Sequence, residues 1–285
     1  MPDFPIIDSH LHLWNPEALP YSWLASNALL NRPYLLNDYY AATEAVEIEA
    51  MVFIQCEAEP SAFEAEAEWV AELALRDPRI RGMVAWAPLE KGRAVRDDLE
   101  RLTRHHILRG IRRIIQFEPD LNFCLRPDFI AGVRTLADFD LPFDICIDHR
   151  HMHNALKFVE TVPDVPMVLD HIGKPAIKEG AMQPWADRMR ELATFSKVSC
   201  KISGVATEAD HNAWTVDELK RYIEVAIEAF GFDRILFGGD WPVATQAISF
   251  TRWVAILEEM MVGVNEIDQR KFWRDNAVRV YGLEL

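Results

Sequence analysis

Eight short apolar runs rich in β-branched residues recur along this 285-residue chain, most of them separated by a stretch of helical periodicity, and that alternation narrows the possible folds more than any other feature. The runs at 5–12, 50–57, 82–87, 110–116, 143–148, 166–171, 198–203 and 234–240 read as strands. Between them, 61–76 places Trp69, Val70 and Leu73 on one face and stops at Asp77-Pro78, while 215–230 opens on a Thr215/Glu218 capping pair and closes at Gly231. Further helical patterns cover 93–106, 128–139, 182–195 and 250–261. Strand and helix alternating eight times predict the α/β class and a parallel sheet closed into a (β/α)8 barrel. An open doubly wound sheet fits less well, because no Gly-rich phosphate loop follows the first strand. Nothing rich in Pro, Gly or Ser interrupts the pattern, so residues 1–285 read as one domain.

The barrel needs a large buried core, and half the residues are hydrophobic with only 26% charged. A net charge of −15, spread over the chain, excludes nucleic acid as a natural partner. The opening Met1-Pro2-Asp3-Phe4-Pro5 has neither the basic nor the apolar part of a secretion signal, and no run approaches a membrane span, so the expected setting is the cytoplasm, away from membranes. Cys56, Cys124, Cys146 and Cys200 lie far apart without a C-x-x-C pair, which predicts buried free thiols.

Three of the strand-like runs end on groups that bind metals or move protons. His10 and His12, spaced i, i+2, point to the same side of the first strand. The sixth run ends at Asp170-His171 and the eighth at Gly239-Asp240. In a (β/α)8 barrel the C-terminal strand ends share one mouth, so His10, His12, Glu57, Gln116, His149, His171, Lys201 and Asp240 are expected to face it together. The irregular stretch 15–37 carries Tyr21, Trp23 and Tyr34; with Trp14 just before it, this stretch offers aromatic faces for a ring-shaped substrate or a small satellite core.

Ile7-Asp8-Ser9-His10-Leu11-His12-Leu13-Trp14, Gly110-Ile111-Arg112-Arg113, Leu169-Asp170-His171-Ile172-Gly173-Lys174-Pro175, Lys201-Ile202-Ser203-Gly204 and Phe237-Gly238-Gly239-Asp240-Trp241-Pro242-Val243 together resemble the sugar-lactone hydrolase branch of the amidohydrolase superfamily. The motifs keep their order as far as Asn276-Ala277-Val278-Arg279, so the resemblance spans essentially the whole chain. It implies a (β/α)8 hydrolase that opens a cyclic ester such as an L-fucono-, L-rhamnono- or L-galactonolactone, with a small-molecule sugar lactone as its partner. The chain departs from the binuclear members of the superfamily, which add a bridging Lys or Glu on strand four; here that strand offers Arg112, Arg113 and Gln116.

On this reading Asp240 is the general base on water, and His10, His12 and His171 polarise the carbonyl. His10, His12, His171 and Asp240 also form a ligand set for a single optional Zn²⁺, with no cofactor obligatory. Arg113, Arg150, Lys201, Trp14, Trp23 and Gln116 are the expected substrate contacts, with Arg112 beside them. The run His149, His151 and His153 starts the loop and helix after strand five and has no assigned role. Alternatives are a metal-dependent decarboxylase of the same superfamily, a binuclear amidase or phosphoesterase, and a barrel that binds sugar acids without catalysis. Oligomeric state is not fixed by these patterns.

Overall fold

A computed structural model describes residues 2–285. Eight parallel strands, β1 (Ile6–Leu11), β2 (Ile48–Ile54), β3 (Ile80–Ala85), β4 (Leu108–Arg112), β5 (Phe143–Ile145), β6 (Met167–Leu169), β7 (Val198–Ile202) and β8 (Ile235–Phe237), pair in sequence order. The sheet closes just beyond β8, where the Trp241 carbonyl accepts from the His12 N–H at 2.8 Å and the His10 carbonyl accepts from the Asp240 N–H at 2.8 Å. That contact stitches the two ends of the chain's barrel together at the point where the candidate site residues lie.

The strands' period of two sorts side chains between two cores. Ala50, Val52 and Ile54 of β2 join Ile7, Val84, Val168 and Leu236 in the barrel lumen, whereas Met51 and Phe53 face the helices. The lumen is sealed at one end by the C-terminal α10 (Asn276–Tyr281), which brings Ala277 and Tyr281 into the same cluster, joined by Leu283 just beyond it.

The outer layer contains α1 (Leu36–Thr43), α2 (Phe63–Arg76), α3 (Arg96–Leu102), α4 (Pro127–Thr135), α5 (Met152–Thr161), α6 (Trp185–Ala193), α7 (Val216–Phe230), α8 (Phe250–Met260) and α9 (Glu266–Arg270). The Thr215 side chain caps α7 by accepting from the Glu218 N–H, as the local sequence predicts. Differences from the sequence reading are local. The stretch at 93–106 divides into the end of a 3-10 segment (Leu89–Val95), itself kinked at Gly92, whose φ of +63° is left-handed, and α3, which stops at Leu102. α4 gives way to 3-10 geometry at Leu136. α1, α5, α9 and α10 had no expected counterpart; α1 is only two turns long and buries just Tyr39 and Thr43, too weak a stripe to show as periodicity, and α9 and α10 are shorter still. Among the described residues no helix is long and apolar enough to cross a membrane, and all four cysteines are buried free thiols.

Candidate active site

The site begins with a register shift. Pairing between β1 and β2 slips between Asp8 and Leu11, and this local irregularity turns His10 and His12 inward from a strand whose Ile7 already faces the lumen. His12 then has its Nδ1 2.8 Å from the Ile54 carbonyl. A carbonyl only accepts, so Nδ1 donates to it and the ring is fixed with Nε2 turned towards the site.

From β8 the chain turns through Gly238, Gly239 and Asp240, with Asp240 at a left-handed φ of 52°. Asp8 secures this turn: its Oδ1 accepts from the Gly239 N–H at 2.8 Å and the His10 N–H at 3.0 Å, and its Oδ2 from the Tyr39 hydroxyl at 2.9 Å. One buried carboxylate therefore fixes the ends of β1 and β8 to each other. Gly204, with φ of +58°, follows β7 so closely that a Cβ there would lie 2.6 Å from Asp240 Oδ2 and 2.7 Å from His171 Nδ1.

Asp240 Oδ1 is the convergence point. His12 Nε2 lies 3.4 Å from it, His10 Nε2 3.7 Å and His171 Nε2 4.0 Å. Burial alone would raise the Asp240 carboxyl, but the His171, His12 and His10 rings hold it well below the usual carboxylate range. Burial pushes His171 down to about 4, and His10 is likewise lowered, so both rings are neutral near pH 7. The result is an ionised carboxylate beside three imidazoles.

Beneath this layer lies a charged one. His10 Nδ1 is 3.4 Å from Asp170 Oδ1 and 3.3 Å from Lys201 Nζ, and Arg112 Nη1 approaches His10 Nε2 at 3.3 Å. Asp170 pairs with both Arg112 (3.1 Å) and Lys201 (3.1 Å), while Lys201 also pairs with Asp144 at 2.7 Å. Burial works against the Asp170 charge, but Lys201, His10 and Arg112 keep its carboxyl well below the ordinary range.

The donor atoms fit one metal ion. His10 Nε2 and His12 Nε2 stand 3.2 Å apart, with Asp240 Oδ1 at 3.7 and 3.4 Å from them. Two ligands of a tetrahedral Zn²⁺ at about 2.0–2.1 Å stand about 3.3 Å from each other. The second group with ligand spacing among the described residues, His10, Asp170 and His171, shares His10, and its carboxylate is already neutralised by Arg112 and Lys201. A guanidinium and an ammonium thus occupy the neighbourhood that a second cation would need.

A cavity of about 590 Å³ opens above Asp240, His12 and His171. Trp14, Trp23, Trp86 and Phe117 supply its aromatic wall, and Glu57, Arg112, Arg113, Gln116 and Lys174 its polar one. The Trp23 indole donates to the Cys56 carbonyl at 2.8 Å, which carries the loop after β1 over the end of β2. Trp14 is fully buried and meets Trp23 edge-on at 5.4 Å, so it backs the wall from behind.

Two expected contacts lie elsewhere. Arg150 is 59% exposed and chelates Asp148, lining a separate cleft with His149. A carboxylate two residues away captures that guanidinium before it can reach the mouth. Lys201 is wholly buried below His10, not at the cavity surface, because Asp144 and Asp170 hold it there. His151 bonds Asp148 at 3.0 Å and, like His149 and His153, belongs to neither group with ligand spacing. Arg113 does border the cavity, paired with Glu118 at 2.5 Å and Glu90 at 3.4 Å. Asp170, Asp8 and Asp144 had no role in the sequence reading; their inward or strand-bridging placement follows only from register.

Residues 7–283 match the family model described as Amidohydrolase. The chain is 31% identical to an L-fucono-1,5-lactonase of Burkholderia multivorans, with 97% of this chain and 96% of that one covered. It is 23% identical to an L-rhamnono-gamma-lactonase of Scheffersomyces stipitis, over 99% of this chain and all of that one. A crystal structure of an amidohydrolase from Burkholderia multivorans, described with bound zinc, superposes with a TM-score of 0.89 at 30% identity, covering 99% of this chain and 100% of that one. With His10, His12, His171 and Asp240 gathered at the strand ends of a (β/α)8 barrel, and the match running from β1 to beyond α10, this chain belongs to the amidohydrolase family.

Proposed function

We propose that this chain hydrolyses a sugar-derived lactone to its sugar acid, with Asp240 as the general base. The carrying observation is an ionised, buried carboxylate with three imidazoles around it at the floor of an aromatic-walled cavity. A water held by Asp240 attacks the lactone carbonyl carbon and gives its proton to the carboxylate. His10, His12 and His171 flank the same atom and orient the attack, while the cationic Arg112 stabilises negative charge from one side. When the ring C–O bond breaks, Asp240 returns the proton to the leaving oxygen. His10, His12 and Asp240, with His171 beside them, would hold a zinc ion, the ion described in the Burkholderia multivorans crystal structure, and such an ion would supply Lewis-acid polarisation of the carbonyl.

Cavity charge favours a neutral substrate. Arg112 is engaged by Asp170 and the Gln55 carbonyl, Arg113 by Glu90 and Glu118, and Lys91 by Asp98, so no cluster of free cations awaits a dicarboxylate. Together with the names of the relatives, this points to a neutral aldonolactone of the L-fucono, L-rhamnono or L-galactono kind. A pH-indicator screen of five- and six-membered aldonolactones, with and without chelator, tests the reading. Proton release on at least one neutral aldonolactone is expected. Hydrolysis of a pyrone dicarboxylate tenfold faster than of every neutral lactone would overturn the substrate assignment, and CO₂ release without lactone hydrolysis would overturn the reaction.

A further inference from the structure

The cavity is bordered by a lysine that the reaction outlined above does not use. Lys174 follows β6 in a run of four positive φ angles: His171 at 53°, Ile172 at 49°, Gly173 at 69° and Lys174 at 45°. Left-handed backbone costs a non-glycine residue on the order of 1–2 kcal/mol. The segment is held in place by the Trp185 indole donating to the Ile172 carbonyl (2.8 Å) and the His149 N–H donating to the Lys174 carbonyl (3.1 Å). Such a path brings both His171 and Lys174 to the cavity that Asp240 floors.

Its side chain is only 16% exposed, and among the described residues its ammonium makes no hydrogen bond; its ion pair is a 3.7 Å contact with Glu208. Every other cation lining the cavity is held closer by a carboxylate: Arg112 at 3.1 Å, Arg113 at 2.5 Å and Lys91 at 3.0 Å. Burial opposes the ammonium charge, yet Cys146, Glu208 and Asp240 nearby raise its pKa, so the group stays a cationic donor. Lactone hydrolysis converts a neutral ester into an anion, here against walls that carry Glu57, Glu90 and Glu118 and a floor that carries Asp240. A donor with free N–H groups is what that change of charge requires.

We propose that Lys174 is a catalytic residue, its ammonium donating to the oxygen of the reacting carbonyl as it becomes an oxyanion and then the product carboxylate, with Glu208 as the residue that positions it. The proposal rests on the lactonase reading. Proton traffic is unchanged: water forms the new C–O bond and gives its proton to Asp240, the ring C–O bond breaks, that proton goes to the leaving oxygen, and Lys174 keeps its own.

Steady-state kinetics on the best neutral aldonolactone, with inhibition by the corresponding aldonate, test this in the wild-type enzyme, Lys174→Met, Lys174→Arg and Glu208→Gln. Lys174→Met is expected to lose roughly 30-fold or more in kcat with KM within about threefold, and to weaken aldonate inhibition roughly tenfold or more. Lys174→Arg should regain part of both, and Glu208→Gln should show a smaller loss of kcat. A Lys174→Met enzyme within threefold of wild-type kcat, or one whose aldonate inhibition is unchanged, overturns the proposal. If Lys174→Met fails to fold, Lys174→Arg carries the same readout, since it keeps the charge but moves the donors; wild-type behaviour in both parameters then overturns the assignment. A wild-type enzyme that turns over no lactone removes the functional reading and this proposal with it, whereas an active wild type with an unaffected variant removes the proposal alone.

Discussion

At the scale of the residue, Asp240 is the sharpest test, because its geometry and its charge can be separated. Asn tolerates the left-handed backbone that position 240 adopts, and it fills nearly the same space as Asp. What it lacks is the capacity to take a proton from water. Asp240→Asn should therefore fold with near-native thermal stability and lose at least about 100-fold in kcat/KM on the best lactone. Near-normal activity in the folded variant would take Asp240 out of the mechanism.

At the scale of the element, the loop after β1 is held over the site by groups that titrate. Glu66 of α2 accepts from the Cys56 N–H at 3.1 Å, the Tyr21 hydroxyl faces it, and the Cys56 carbonyl takes the Trp23 indole. Burial raises the Glu66 carboxyl to about 7, against the hydrogen bond from the Cys56 N–H. Folding thus tightens proton binding to Glu66, so its contribution is fully present below the unfolded value near 4.5 and is lost as pH rises through about 7. The shift corresponds to roughly 3 kcal/mol. Urea denaturation of the wild type and Glu66→Gln at pH 5 and pH 8 should show the variant gaining relative stability at pH 8; an identical difference at both values would mean that Glu66 does not titrate between them. The elements themselves were largely legible: short apolar runs located all eight strands, and His12, Glu57, Gln116, His171 and Asp240 at their ends fell at one mouth because the fold puts them there, whereas His149 lies in the separate cleft. Arg150 and Lys201 were not, for opposite reasons. Arg150 yields to Asp148, a local pairing visible only once the turn between them is known. Lys201 is drawn inward by Asp144 on β5 and Asp170 just past β6, which meet it only through register.

At the scale of the whole molecule, the barrel lumen is not uniformly apolar. From the sealed end the Tyr281 hydroxyl donates to Asp144 at 2.8 Å, Asp144 pairs with Lys201, Lys201 with Asp170, and Asp170 reaches both Arg112 and His10 beneath the site. A charged column of this kind links the C-terminal helix to the catalytic layer through side chains alone. Its members differ in what their loss leaves behind. Tyr281→Phe deletes one donor but leaves Asp144 its lysine, so a loss of about 1 kcal/mol is expected, with activity close to wild type. Lys201→Met strands two buried carboxylates, Asp144 with only the Tyr281 hydroxyl and Asp170 with only Arg112 remaining, and should cost about 3–5 kcal/mol at neutral pH. Burial already raises Asp144 to about 6 with Lys201 in place. Without the ammonium its carboxyl must rise further, and protonation then relieves the unpaired charge, so the deficit of Lys201→Met should shrink as pH falls from 8 to 5. Denaturation midpoints across that range decide the matter: a Lys201→Met protein as stable as the wild type at pH 8, or one whose deficit does not change with pH, would mean that the column is not held together by charge.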